Sequence, residues 1–399
     1  MAGATIDHLV SLTIFLAAML LFIGFFNQMI QTAVVYQQHR ATATKCSDLL
    51  DTMLLNPGIP KIGEPSVFGL QDTEFTQYTL NSSSLMRLNS STGTPIYYEK
   101  TGTMYSNVTV GFGNSLLMPI NNSLCKVVNY SSALNLLRIN GAYGFQLTLT
   151  PVVTFDIEAE RSDDNVELRI DVRGVGFPLA NAHVSCYFLP VSLSGDYPDF
   201  LPAQATEVST NEAGNATVTF PLEEGYTYVF LASAQVGGLA GVGFYVPPSD
   251  NPRVIPFVDD LSAKSVVLAH SYDVPNTAGS GTLAYNATFV FWNEHFGLQT
   301  VAMADSTGTV TSGAGGNFSF VTIPSGNPGV LLVAYGNGAA GGVAVLPWGV
   351  GSLGFPVVFG GSTAGREWVA TDMRQVIVNG VAYQAKLSLW SLQGVQVVG

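Results

Sequence analysis

Glu294 and His295, side by side in the stretch FWNEHFG, are the nearest approach to an acid and base pair in this 399-residue sequence. Neighbouring strand residues point to opposite faces, so the pair reads as a polar turn and not as a proton-transfer site. The other histidines, His8, His39, His183 and His270, are scattered without ligand spacing, and the cysteines show no C-x-x-C arrangement. Asp163 and Asp164 in EAERSDDN offer oxygen ligands of the kind Ca²⁺ takes, but a solvated acidic hairpin tip accounts for them better. GGLAGVG and GAAGGVAV are glycine-rich yet precede no helix, which is not how a phosphate cradle is built. The sequence therefore predicts no catalytic, cofactor-binding or metal-ligating residue. A secreted carbohydrate-active enzyme is the least supported reading, and a structural role the best.

Composition narrows the class further. The formal net charge of −13 argues against a nucleic-acid partner, because such binding rests on a basic surface that neutralises phosphates. Hydrophobic residues make up 47% of the chain and charged ones only 11%, so two to four cores can be buried. Asn-x-Ser/Thr sequons occur at Asn81, Asn89, Asn107, Asn121, Asn129, Asn215, Asn286 and Asn317, all outside the N-terminal helix described next. They point to an exported, glycosylated protein; their alternative is the ordinary use of Asn and Ser in β-turns. Three cysteines cannot all pair within one chain. Cys186 alternates with Val184 and Phe188 and reads as a buried small hydrophobe. Cys46 and Cys125 are then the pair expected to form a disulfide in an oxidising compartment.

The elements that would carry a structural role begin with IDHLVSLTIFLAAMLLFIGFFNQMIQTAVVYQQHR, which has no Lys, Arg, Asp or Glu between Asp7 and Arg40. It lacks the basic start of a signal peptide and is too long for one. The run continues as a helix to Asn56-Pro57-Gly58, where proline ends it. One helix of about 50 residues is predicted, apolar all round at first and amphipathic later, with Tyr36, Ala43 and Leu50 seven apart, and Cys46 and Met53 likewise, drawing one apolar stripe. A bilayer span needs only about 20 apolar residues, which Leu9 to Ile30 would supply. The helix continues for several turns beyond that span, and Asn27 and Gln28 suit an interhelical hydrogen bond better than bare lipid. Leu16, Phe22 and Ile23 supply bulk for a helix bundle, while Gly24 and the Ala17–Ala18 pair allow close approach. A lone membrane anchor is the rival reading.

Four units are expected along the chain: the helix (1–56), a small α/β head region (57–154), a first β-sandwich (155–250) and a second with C-terminal strands (251–399). The two sandwiches rest on an internal repeat. AGNATVTFPLEEGYTYVFLASAQVGGLAGVGFYVP is echoed by GGNFSFVTIPSGNPGVLLVAYGNGAAGGVAVLP in the same order of turn, strand, turn, long apolar strand, glycine cluster and last strand. In the head region, Ser131–Ile139 reads as a helix capped by Ser131 or Ser132. The fold class is thus mainly β with one long N-terminal hydrophobic helix and tandem immunoglobulin-like β-sandwiches.

The turn Gly176–Val184, with its Pro-Leu-x-x-Ala pattern, and the strand entry Thr210–Thr217 resemble immunoglobulin-like modules of the carboxypeptidase regulatory or bacterial type, which implies spacer or adhesive units. The greasy and then amphipathic N-terminal helix with a β-rich head resembles an archaeal type IV pilin or flagellin-like subunit. That resemblance implies an extracellular, pilus-like homopolymer assembled through the helix, membrane-inserted before assembly, with the β-domains free for surface adhesion. If Met1-Ala2 is a remnant of the leader, it also places Asp7 where pilins carry a glutamate that meets a neighbour's N-terminal amine; the alternative for Asp7 is an acid favoured by the helix dipole in the first turn. No Lys-Gly or Arg-Gly processing site stands before the helix.

Overall fold

A computed structural model describes residues 2–58, 67–74, 76–88, 95–106, 116–120, 127–248, 254–270, 282–310, 318–336 and 341–392. The chain is mainly β, with one long helix, α1, over Ala2–Leu54. At about 1.5 Å per residue α1 is roughly 80 Å long. The chain leaves the helix into the Asn56-Pro57-Gly58 turn.

Two short helices and four strands follow: β1 (Thr79–Leu80), α2 (Ser82–Met86), β2 (Ile96–Tyr98), β3 (Thr103–Tyr105), α3 (Tyr130–Leu136) and β4 (Tyr143–Pro151). The N-cap of α3 is Asn129, whose Oδ1 accepts from the Ser132 amide at 2.7 Å. A serine cap was expected; the helix starts earlier, and Asn129 caps it in the same manner. Asn81 caps α2 in the same way.

The first sandwich contains β5 (Val153–Arg161), β6 (Asn165–Gly174), β7 (Phe177–Pro178), β8 (His183–Ser192), β9 (Asp199–Phe200), β10 (Gln204–Ser209), β11 (Asn215–Pro221), β12 (Tyr226–Val236) and β13 (Leu239–Tyr245). One sheet runs β11-β6-β5 and the other β10-β8-β12-β13. Alternation predicts which residues face inward: Val166, Leu168, Ile170 and Val172 of β6 are fully buried, and the residues between them face out. Cys186 is buried in this core as expected.

The second sandwich contains β14 (Val254–Asp260), β15 (Ser265–His270), β16 (Leu283–Trp292), β17 (Leu298–Val301), β18 (Thr307–Val310), β19 (Ser319–Thr322), β20 (Gly329–Gly336) and β21 (Gly341–Trp348). Its sheets run β14-β15-β19 and β17-β16-β20-β21, with β18 also on β16. Apart from the short β7, which has no counterpart among the described residues, this is the strand order of the first sandwich, so the sequence repeat corresponds to a repeat of topology. β11 and β19 are equivalent strands, and Asn215 opens β11; Asn317 lies outside the described residues. The glycine pairs are not equivalent. Gly237–Gly238 form the two-residue turn between β12 and β13, whereas Gly341–Gly342 are already in β21, paired with Gly336 and Tyr335.

The last strands, β22 (Val357–Gly360), β23 (Ala370–Val378) and β24 (Val381–Ser391), do not extend the second sandwich. They join β1 and β4 in one five-stranded sheet of order β1-β23-β24-β4-β22. Both sandwiches are therefore inserted between β4 and β22 of a unit built from the two ends of the chain. Nor is 57–154 a separate unit. The β2–β3 hairpin lays Tyr98 and Tyr105 on Phe257 of the second sandwich, with ring centroids 4.8 and 4.4 Å apart, and the Leu117 amide bonds the Pro256 carbonyl there. Its apolar side chains are divided between the core under α1 and the cluster around Phe257, so it has no core of its own.

Candidate functional site

The exposed half of α1 and the seat of its other half are the features of this fold that stand out. The seat is the face of the five-stranded sheet. Cys46, Leu50, Met53 and Leu54 have no measurable exposure, and Leu49 is nearly as buried. α1 packs on β23 and β24, and these side chains share one hydrophobic core with Phe145, Leu147 and Leu149 of β4 and Leu387 and Leu389 of β24. The buried stripe is Thr42, Cys46, Leu49/Leu50 and Met53, at helical spacing. The sequence phase is corrected here: Tyr36, 70% exposed, and Ala43 do not share the buried face with Leu50. An α-helix drifts about 20° per heptad, and α1 has left the sheet by Tyr36, so no protein surface covers it there.

Polar contacts fix the helix on its seat. Arg374 of β23 donates through Nε to Asp51 Oδ1 at 3.1 Å, through Nη2 to Ser47 Oγ at 3.1 Å, and through Nη1 to Asp372 at 2.8 Å. Burial alone would raise the Asp372 carboxyl, but hydrogen bonds from Ser47 and Arg374 outweigh it and hold the group below the usual carboxylate range. The Arg374 guanidinium is stabilised as a cation by Asp372 and then Asp51. Nearer the exit of α1 from the sheet, His39 stacks on Trp368 with ring centroids 4.1 Å apart and planes 5° from parallel.

Cys46 belongs to this seat as a thiol. Its Sγ lies 3.5 Å from the Leu387 carbonyl and 3.6 Å from that of Ala370, and it is free. Its expected disulfide partner, Cys125, lies outside the described residues. Burial, and next the Asp372 charge, push the Cys46 thiol up to about 11. Burial alone pushes Cys186 up to about 12.

Beyond the seat α1 stands clear of the head. Every residue from Ile6 to Ile30 is exposed, among them Leu16, Phe22, Ile23, Gly24, Asn27 and Gln28. Leu20 and Phe22 are 70% and 71% exposed, against 50% for Leu16. A Cβ added at Gly24 would meet no atom within 4 Å. Asp7 is exposed as well, but it lies beyond the first turn, which holds no acidic residue, so a helix-dipole contact there does not account for it. The stretch is long and apolar enough to cross a membrane. Its 25 residues span roughly 37 Å at 1.5 Å each, more than the about 30 Å of a hydrocarbon core.

The remaining positions singled out in the sequence fall elsewhere. Glu294 and His295 sit in the turn between β16 and β17, where Asn293 accepts from the His295 and Gly297 amides. The His295 carbonyl accepts from Gln235, so this turn ties the two sandwiches together. Asp163 and Asp164 are an exposed hairpin tip. Of the sequons, Asn89, Asn107, Asn121 and Asn317 lie outside the described residues. Asn129 is exposed, and Asn215 and Asn81 are half-buried. Asn286, also half-buried, donates to Asp199 of the other sandwich at 3.3 Å.

No protein-family model matches the chain, and no curated protein matches it. Among solved structures, trypsin-activated alpha-2-macroglobulin from Escherichia coli overlaps 56% of this chain and 18% of its own, at 11% identity and a TM-score of 0.21. Red sea bream transglutaminase overlaps 48% of this chain and 31% of its own, at 11% identity and a TM-score of 0.17. A fragment of native alpha-2-macroglobulin from E. coli spanning domains NIE-MG1 overlaps 49% of this chain and 96% of its own, at 12% identity and a TM-score of 0.18. The chain thus spans less than a third of the length of the first two. Overlaps this slight say nothing of activity. The class is defined by the chain's own strand order: a mainly β protein with tandem sandwiches inserted into a sheet that seats a long apolar N-terminal helix.

Proposed function

We propose that this protein is the structural subunit of an extracellular, type IV pilus-like filament, held in a membrane by α1 before assembly and joined to its copies through α1 afterwards. The observation that carries the reading is the division of α1. Its C-terminal third is fixed to the sheet by apolar packing and by Arg374, while its N-terminal half exposes large apolar side chains on every side. A rigidly held helix greasy all round needs lipid or other helices about it. On assembly its surface moves from lipid into a bundle of like helices. Between Gln31 and Gln38 the helix is neither apolar enough for lipid nor seated on the sheet, which suits a neighbouring helix better than bare solvent. The sandwiches then face outward and carry glycans at accessible sequons such as Asn129 and Asn215, a surface suited to adhesion.

Electron microscopy of purified cell-surface material tests this. Filaments that contain this chain are the expected result. The chain found only in membrane fractions, with no filament, would support the rival reading of a single-span surface glycoprotein, which the apolar stretch alone would also serve.

A further inference from the structure

The two ends of the sheet that seats α1 differ. At one end Pro151 of β4 leads into the first sandwich and Val357 of β22 returns from the second. At the other α1 departs, beside the Ala370 carbonyl that lies 3.6 Å from Cys46 Sγ. This exit end is closed by the loop 361–369 between β22 and β23, by the turn 138–142 before β4, and by Ser391 and Leu392. The Gly361 amide donates to the Phe145 carbonyl and the Leu392 amide to that of Ala142, both at 2.9 Å, so these segments lie side by side.

The charge of the exit end is opposite in sign to that of the chain. Arg138 and Arg366 on the head and Arg40 on α1 are all exposed. Glu367 is the only carboxylate in those segments and in α1 between Asp7 and Asp48. Lys45 and Asp48, further back on α1, offset each other. Arg366 rests on the Trp390 ring, 5.2 Å from its centroid, which holds the side chain without neutralising it. A protein of net charge −13 therefore turns a basic face toward the side on which its apolar helix emerges.

Depth and ring chemistry agree with that placement. From Ile30 to His39 is nine residues, roughly 13 Å at 1.5 Å each. A headgroup layer takes up about 5–8 Å of this, which leaves the basic face within about one Debye length, ~8 Å at physiological salt. Tyr36, 70% exposed, falls at the outer margin of the layer, and Trp368 is held above it on His39. Tyr and Trp collect at such interfaces because each ring is apolar in body and polar at one edge.

We infer that before assembly the exit end of the head docks on the membrane surface, with Arg40, Arg138 and Arg366 facing anionic lipid headgroups. Continuity of the helix selects the occupant: the bilayer that surrounds the apolar half of α1 ends directly below this face. The inference rests on the reading of α1 as a membrane helix. It sets the sandwiches, at the opposite end of the sheet, away from the lipid.

Fluorescence quenching in vesicles tests it. Ser362→Cys at the exit end and Asp163→Cys at the exposed hairpin tip are each labelled in the full-length chain with Cys125→Ser; the native Cys46 and Cys186 are buried. The proteins are placed in phosphatidylcholine vesicles, with and without phosphatidylglycerol, that carry a nitroxide on the headgroup. The label at Ser362→Cys should be quenched, more so with phosphatidylglycerol, and the label at Asp163→Cys should not. Arg138→Gln/Arg366→Gln should lower the ratio of docked to undocked heads by about tenfold or more, since each basic residue near an anionic surface is worth about fivefold. Arg40→Gln, on the helix and clear of the head loops, should lower it in the same direction. A chain that inserts but shows no quenching at Ser362→Cys would overturn the docking and leave the membrane reading standing. Equal quenching in both kinds of vesicle, unmoved by the arginine variants, would overturn the assignment to anionic headgroups. Protein that fails to float with the vesicles would overturn both readings.

Discussion

At the scale of single residues, the seat of α1 is held by a thiol that reacts poorly and by one arginine. Cys46 has no measurable exposure, and its thiol is pushed up to about 11, so the thiolate is scarce at neutral pH. Neither Cys46 nor Cys186 should take up iodoacetamide in the native protein at pH 7.5, and both should do so once unfolded, which peptide mass analysis reads directly. Rapid labelling of native Cys46 would mean that the helix leaves its seat. Arg374→Met removes the cation that links Asp51 and Ser47 to Asp372 and should cost about 2 kcal/mol, within the range for charged hydrogen bonds. The same cluster sets an acid limit. Because the folded Asp372 carboxyl is held below its ordinary value, its stabilisation is complete above the unfolded value of about 4 and is lost as pH falls through the folded one. Thermal midpoints of the wild type should thus fall more steeply below about pH 4 than those of Arg374→Met. Parallel curves would show that the cluster does not couple the helix to the sheet. None of this was legible in the sequence, because Arg374 and Asp51 lie 323 residues apart.

At the scale of elements, α1 was legible because its signal is local: an unbroken apolar run, then an amphipathic stretch, then Asn56-Pro57-Gly58. Its length and the point where the fold turns agree with that pattern. The phase of its buried face was not legible. Sequence spacing placed Tyr36 and Ala43 on one stripe with Cys46, Leu50 and Met53, whereas contact with the sheet keeps only the last three and adds Thr42. Apolar residues that wait for a partner and apolar residues already packed look alike until the sheet is known. The two halves of α1 should therefore respond differently to substitution. Met53→Ala should destabilise the head by about 2–5 kcal/mol, the usual cost of truncating a buried side chain, as read by chemical denaturation. Phe22→Asp should leave head stability unchanged, because Phe22 touches none of the head, and should abolish assembly, since an unpaired charge in a helix bundle costs several kcal/mol. Normal filaments from Phe22→Asp would contradict a bundle of apolar helices.

At the scale of the whole molecule, the sandwiches are insertions in the helix-bearing sheet and not beads strung after it. The repeat showed two modules of one topology, because strand order is written along the chain. It did not show that β22 to β24 return to β4 across about 200 residues, since pairings at such separation leave no periodic trace. The consequence is structural: both connections of the paired sandwiches run into the sheet that seats α1, and Gln235, Ser233 and Asn286 bond the sandwiches to one another. A head joined at so many points would hold its outer surface in fixed register with the helix, as a helical array requires. Whether α1 meets other copies of α1 is the central question. It is tested most directly by oxidative cross-linking of the full-length Leu16→Cys/Phe22→Cys double variant, made in a Cys125→Ser background, in membranes and in isolated surface material. Two thiols on the exposed half of α1 should give a ladder that extends through trimers to high multimers. Monomers alone, with both thiols still open to a lipid-soluble alkylating reagent, would show a helix surrounded by lipid and contradict the assembly.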